Sequence, residues 1–542
     1  MSRAVERRPD WGPAAADLRA VGRGAGINLL GTALGGVGQL GLIYVITRGL
    51  HTVGAGALFL GLAWFAIAVR VGELGVDAGL SRAIPRIRVA GSEADVRRTI
   101  WVAVLPTLAT GAALAAAMFL LADRLAGWLG QSGGGDVASV TRILSPFIPI
   151  AVLLAVASAA TRGFGVMSAS SLVDRGLRPV VQAASVAAAI ALGASVSGAA
   201  LAWALPGLLA CLIVVIWLRL LVRRSAPQLS GAGREPMATA AAFWRFTLPR
   251  GAAGAIQIAT LSAGTLLVGH YLGVREAGIY AASARVLLVG NVIILAFMQV
   301  TAPKISELLA TGRTAHAEAV YSAATAWQML LTWPVYLSLG LLAPPLLGVL
   351  GPGFAAGAHA LAILCVGMLL VASLGPADVV LLMSGRSGLS MAYAGLGCLT
   401  AVALNVVLDP RIGISGAAIA LAAGVAVRNA AAYRQIRRRL GIGGGRAPAA
   451  TAAACALACY AIPLTAVRAV ASPTLAVAIT AVIFSTALYA AAVWLTRQRL
   501  QLPVLAHGLR APGSAGSWIA GKVPLEVEVG VEDRHRREAG GR

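Results

Sequence analysis

Apolar runs of about 20 residues, the length of helix that crosses a bilayer core of about 30 Å, recur along the chain between short polar gaps. They predict transmembrane helices over 25–47, 56–80, 99–122, 143–161, 176–194, 197–218, 251–272, 278–300, 322–344, 358–383, 389–408, 412–433, 449–467 and 473–496. The pairs within 176–218 and 389–433 are closely spaced, which leaves a count of twelve to fourteen. The expected class is an all-α membrane protein of about fourteen transmembrane helices, with no soluble catalytic domain.

Composition supports the pattern. Hydrophobic residues make up 58% of the chain and charged residues only 12%, about half the charge of a soluble domain, so most of the surface must face lipid. The net charge of +23 would suggest nucleic acid in a soluble protein, but the basic residues lie in the gaps between apolar runs, and no nucleic-acid partner is expected. With the N-terminus inside, 36 of the 44 basic residues fall on the inner side and six on the outer side. That asymmetry follows the positive-inside rule and predicts a multi-pass protein of the inner, cytoplasmic membrane with both termini cytoplasmic. Residues 1–24 read as a polar tail, and no cleavable signal peptide is expected. Cys211, Cys365, Cys398, Cys455 and Cys459 all fall inside apolar runs and read as small buried hydrophobes; neither a metal nor a cofactor is expected.

An internal repeat divides the chain. Ser197-Gly198-Ala199-Ala200-Leu201-Ala202 recurs as Ser415-Gly416-Ala417-Ala418-Ile419-Ala420, and Pro85-Arg86-Ile87 as Pro303-Lys304-Ile305, both at an offset of 218. Leu50 and Gly56 match Leu272 and Gly278 at 222. The offset spans six helices, an even number, so the halves share one orientation and are related by an axis along the membrane normal. The expected organisation is a cytoplasmic tail (1–24), an N-lobe of helices 1–6 (25–224), a cytoplasmic linker (225–248) and a C-lobe of helices 7–12 (249–440). Helices 13 and 14 (441–498) and a polar cytoplasmic tail (499–542) follow. The tail contains Gly516-Ser517-Trp518-Ile519-Ala520-Gly521-Lys522, which has P-loop spacing, but Val523 replaces the required Ser or Thr and no α/β domain surrounds it.

Charges inside the predicted spans carry the candidate chemistry, because each costs roughly 2.5–3.5 kcal/mol in the hydrocarbon core. Arg70 lies near the middle of the second span, with Glu73 and Asp77 on the same helical face. Arg285 occupies the eighth span, the repeat counterpart of the second, and Asp378 follows a Gly375-Pro376 kink. Two arginines, one from each lobe, would make a central cavity attractive to a diphosphate, which guanidinium groups bind in bidentate fashion. Glu73, Asp77 and Asp378 are candidate coupling groups or charge partners. The glycines of the first span (Gly31, Gly35, Gly36, Gly38, Gly41) suit close helix packing.

The stretch from Thr47 to Ile87, with Gly56, Gly75, Asp77, Arg82 and Arg86, resembles the first helical hairpin of the polysaccharide-biosynthesis flippases, within the multidrug/oligosaccharidyl-lipid/polysaccharide (MOP) transporter superfamily. Ala55 stands where the family pattern has an aromatic residue. Leu272 to Tyr280 repeats the pattern, and Asn405 to Ala420 is similar to the family's Gly-x-x-Gly-Ala-Ala helix start. The resemblance implies alternating-access export of a polyprenyl-diphosphate-linked oligosaccharide, with membrane lipid around the chain and glycan-assembly enzymes as candidate partners. It leaves oligomeric state, glycan and driving force open. A cation-coupled multidrug exporter of the same superfamily would instead use the acidic residues. A membrane glycosyltransferase or polymerase fits less well, because the outer loops are short.

Overall fold

In hydrocarbon a chain must satisfy its backbone polar groups internally, and for these apolar runs that means helix. The computed structural model describes residues 12–90, 93–129, 134–166, 169–225, 239–287, 290, 294, 301–302, 304–384, 386–443, 446–470 and 474–500. Among them there is no β-strand. The N-lobe comprises α1 (Gly12–Gly72), α2 (Val76–Ala90), α3 (Glu93–Leu120), α4 (Ala122–Trp128), α5 (Gly134–Leu144), α6 (Ile148–Gly163), a π-helical segment (Ala169–Leu177), α7 (Arg178–Ala191) and α8 (Val196–Ser225). The C-lobe comprises α9 (Ala240–Leu272), α10 (Val274–Val286), α11 (Thr314–Leu341), α12 (Ala343–Val349), α13 (Ala358–Ser373), α14 (Ala377–Met383), α15 (Ser387–Ile412) and α16 (Ile414–Leu440). The last hairpin is α17 (Arg446–Ala456), a π-helical segment (Leu457–Ala461), α18 (Ile462–Val470) and α19 (Leu475–Leu495).

The exterior is apolar to a degree that water would not tolerate. On α19, Ile479, Ile483 and Phe484 are each more than half exposed, and Leu192 of the α7–α8 turn is 88% exposed. These side chains face lipid. Inside, small residues let backbones approach: Gly31, Gly35 and Gly38 of α1 lie against Ser171, Arg175 and Pro179–Val180, so a side chain on any of them would strike the π-helical segment or α7. Gly31, Gly35 and Gly38 thus form its packing face, while Gly41 has only ordinary contact with Ala183.

Several expected boundaries are corrected. Among the described residues ten helical segments are long and apolar enough to cross a membrane, or eleven if the bent α11–α12 pair counts as one span; the first, Gly31–Arg88, is 58 residues long and holds two of the expected spans. Some expected spans are short: 176–194 is the 14-residue α7 preceded by a π-helical segment, and 278–300 is described as a helix only to Val286, its remainder lying largely outside the described residues. The first hairpin has no loop. α1 turns at a single residue, His51 (φ 56°, ψ −168°), and is helical on both sides. Helix also begins at Gly12, inside the stretch read as tail. The C-terminal tail from residue 501 onward and its P-loop spacing lie outside the described residues.

The repeat is visible in the backbone. Gly273 (φ 98°, ψ 175°) breaks α9 from α10 in a conformation close to that of His51, 222 positions earlier. At this end of the bundle the lobes meet reciprocally: Gly56 abuts the Val274 carbonyl, and Gly278 abuts the Thr52 carbonyl. Each contact is the image of the other at the same offset, as a two-fold axis between the lobes requires.

At the opposite end the seam is made differently. α1 stops at Gly72, Leu74 (φ 49°) and Gly75 (φ 78°) take left-handed conformations, and α2 resumes at Val76. A side chain is strained at such φ values, and here Gly75 also presses its Cα against Gly251 and the Thr247 carbonyl of α9. Interlobe contacts therefore lie on both sides of the space between the lobes.

Candidate functional site

That space is a cavity of about 390 Å³, lined from the N-lobe by α1, α6, the π-helical segment, α7 and α8, and from the C-lobe by α9 and α10. Its volume suits one compact ligand or a headgroup, not a whole oligosaccharide. Most of the wall is apolar, with aromatic side chains from Phe59, Phe65 and Trp203. Phe65 and Trp203 pack edge to face at 5.4 Å. Gln182 donates to the Trp203 carbonyl at 3.0 Å, tying α7 to α8 behind the wall.

Arg70 and Arg285, expected from the sequence to face each other across the lobes, both line this cavity. Their surroundings differ. Arg70 is paired along its own chain segment: its Nη1 meets the Glu73 carboxylate and lies 3.5 Å from Asp77 Oδ2. The helix break at residues 73–75 brings Asp77, in the first turn of α2, back to within reach of Arg70. The other Asp77 oxygen accepts from the Ala78 N–H at 2.7 Å, a favourable place for a carboxylate at a helix N-terminus. Gly254 of α9 gives the guanidinium its room, since a side chain there would strike the Arg70 nitrogens.

Arg285 has no carboxylate within ion-pairing distance among the described residues. It lies over the Phe59 ring, with Cζ 4.0 Å from the centroid, and donates from Nη1 to the Ala281 carbonyl at 3.2 Å. A cation–π contact and one carbonyl do not neutralise a guanidinium.

A third arginine completes the group and was not singled out from the sequence. Arg178, at the start of the span expected over 176–194, lines the cavity together with Asp174. Its Nε lies 3.2 Å from Asp174 Oδ1 and donates to the Asp174 carbonyl at 3.3 Å. The pair straddles the junction of the π-helical segment and α7, and such π segments are frequent at functional sites. The sequence signal that could have found them is the four-residue spacing of Asp174 and Arg178 immediately before an apolar run.

Asp378 is not part of this group. In the first turn of α14 it accepts from Ser390 Oγ at 2.6 Å and pairs with Arg428 of α16 at 2.6 Å, which ties α14, α15 and α16 together within the C-lobe. His270, at the end of α9, stacks on Trp128 at 4.4 Å, with its Nδ1 2.5 Å from the Trp128 carbonyl; it joins the lobes at the end opposite the residue 73–75 break. Asp409, near the end of α15, is fully buried, and neither of its carboxylate oxygens has a hydrogen-bond partner among the described residues. The five cysteines are unpaired and four are buried.

Comparison with known proteins agrees with this architecture. The profile of the family described as polysaccharide biosynthesis protein matches residues 60–351, more than half of the chain. The structure is similar to an inward-closed conformation of the lipid II flippase MurJ (TM-score 0.65, 11% identity), covering 85% of this chain and 99% of that one. It is also similar to an inward-facing multidrug resistance MATE family transporter of the MOP superfamily (TM-score 0.60, 17% identity; 77% and 98% covered). A third likeness is to a MOP superfamily transporter from Pyrococcus furiosus (TM-score 0.54, 18% identity; 78% and 96% covered). At these identities the likeness is one of fold. The comparison with curated proteins gives no match. The chain belongs to the polysaccharide biosynthesis protein family and shares the two-lobed helical fold of the flippase and the transporters just named.

Proposed function

We propose that the chain is a flippase that carries a polyprenyl-diphosphate-linked oligosaccharide from the inner to the outer leaflet of the cytoplasmic membrane by alternating access. The observation that carries this reading is Arg285: a guanidinium with no carboxylate partner among the described residues, facing an interlobe cavity that Arg70 and Arg178 line from the other lobe. A guanidinium in a low-dielectric wall is costly unless something compensates it, and a diphosphate offers several oxygens in the planar, bidentate geometry that Arg matches.

Arg70 and Arg178 arrive already compensated, by Glu73 with Asp77 and by Asp174. In this reading they are exchangeable. A diphosphate anchored on Arg285 takes over their outward nitrogens, loosens the pairs that hold the N-lobe wall, and so links headgroup binding to lobe movement. The aromatic side chains would pack against the first sugar, while the lipid chain and the rest of the glycan stay outside a cavity of about 390 Å³. Both termini would lie in the cytoplasm, where glycan-assembly enzymes supply the loaded lipid.

Export of lipophilic cations is the second reading, and Glu73 and Asp174 in the cavity wall favour it. The two readings separate on the sign of the substrate. Arg285→Gln keeps size and hydrogen bonding but removes charge, so at matched protein level it should abolish surface glycan and accumulate the inner-leaflet intermediate. Normal glycan export by Arg285→Gln would reject the diphosphate reading.

A further inference from the structure

The face of α9 that meets the cavity continues out of it. Phe246, Arg250, Gly254 and Ile258 are four residues apart, so each follows the next after one turn on a stripe that winds by about 40° per step around the helix. Ile258 lines the cavity, and Gly254 receives the Arg70 guanidinium. One turn further out is Arg250, and one turn beyond it Phe246. The Phe246 ring is shared: Arg250 Cζ lies 5.3 Å from its centroid and Arg82 Cζ, from α2 of the other lobe, lies 4.2 Å from it. Both arginines are exposed. Neither meets a carboxylate among the described residues, since the acids nearest in sequence are engaged elsewhere, Asp77 with Arg70 and Ala78.

Two guanidinium groups beside one aromatic ring repel each other, and the ring's negative face only partly offsets this. A phosphate between them would remove the repulsion and add charge-assisted hydrogen bonds. The two come from opposite lobes at the seam where Gly75 packs on Gly251, and Arg250 is one helical turn from Gly254, which receives Arg70. We propose that Arg82 and Arg250 form a loading station at the inner mouth of the interlobe seam, which binds the phosphate oxyanions of an incoming lipid headgroup before it reaches Arg70 and Arg285. The station rests on the flippase reading and adds to it a second anion site outside the cavity, with a defined order of use.

The test uses the full chain purified into neutral phosphatidylcholine nanodiscs, with undecaprenyl diphosphate as probe and phosphatidylglycerol and inorganic pyrophosphate as comparison ligands. For the Arg82→Gln/Arg250→Gln double variant, association of undecaprenyl diphosphate should slow about tenfold, with little change in its dissociation. The Arg82→Lys/Arg250→Lys variant, which keeps the charge, should recover most of the rate. Arg285→Gln should instead speed dissociation and leave association near wild type. An unchanged association rate in the Gln double variant, while Arg285→Gln still weakens binding, overturns the station and leaves the flippase reading standing. If wild type binds no undecaprenyl diphosphate, both fall. If the double variant loses phosphatidylglycerol as strongly as undecaprenyl diphosphate, the site serves bulk acidic lipid and the loading role is wrong. Equal loss of inorganic pyrophosphate and undecaprenyl diphosphate supports oxyanion recognition as the basis of the station.

Discussion

Arg70 and Arg285 face one cavity from equivalent helices of the two lobes, yet among the described residues one is paired with carboxylates and the other is not. Arg70 holds Glu73 and Asp77 across a helix break, while Arg285 has a ring and a single backbone carbonyl. The pseudo-two-fold repeat therefore extends to the scaffold and not to the charges. The reciprocal glycine contacts at Gly56 and Gly278 keep the symmetry. The charges depart from it: the N-lobe arginines are paired with carboxylates, and among the described residues Arg285 is not.

This asymmetry predicts unequal costs of mutation. The largest effect is expected at Arg285: replacement by Gln should reduce glycan export by at least about a hundredfold, since two charge-assisted hydrogen bonds are each worth about 1.5–3 kcal/mol. Thermal stability should hold or rise, because an uncompensated cation is removed. A loss of folded protein would break the comparison by making Arg285 structural.

Arg70→Gln should behave in the opposite way. It removes the arginine that pairs with Glu73 and Asp77 and leaves them only the unpaired attraction of Arg162, at a cost of about 1–3 kcal/mol, and should lower the melting temperature as well as transport. Combining it with Glu73→Gln should restore much of the stability without restoring transport. If the double variant regains transport, the pair serves only the fold.

Asp174→Asn should have a milder effect. It frees Arg178 from its partner, so binding of undecaprenyl diphosphate should tighten by a few-fold while turnover slows through retarded release. An unchanged dissociation constant would show that Arg178 does not reach the ligand. The smallest effect on transport is expected for Asp378→Asn, because its pair with Arg428 lies away from the cavity. That variant should lose about 1–3 kcal/mol of stability with transport near normal once expression is matched, and a transport defect larger than the loss of folded protein would bring Asp378 into the mechanism.

The two-lobed helical fold was legible in the sequence because lipid imposes so simple a rule: twenty apolar residues, charges in the gaps, and an even-numbered repeat. Arg70 and Arg285 were legible for the same reason, as charges where charges are expensive. Asp174 and Arg178 were hidden by that rule. Asp174 falls in the polar gap between the spans expected over 143–161 and 176–194, yet it lies on a helical segment that borders the cavity. The turn at His51 was hidden because a tight break between helices needs no run of loop residues when one residue takes a positive φ. The pairing of Arg70 with Glu73 follows from helical spacing, but that of Arg70 with Asp77 depends on the break at Leu74 and Gly75, which spacing alone does not reveal.

The sign of the cargo is the most direct test of the whole scheme. Purified chain in proteoliposomes should be offered a fluorescent short-chain polyprenyl diphosphate and, separately, a fluorescent lipophilic cation, with leaflet exchange of the first and uptake of the second followed over time. The expected result is rapid exchange of the diphosphate, lost in Arg285→Gln, and no protein-dependent movement of the cation. Cation uptake that disappears in Glu73→Gln, with no diphosphate exchange by the wild type, would contradict it and make the chain a cation exporter.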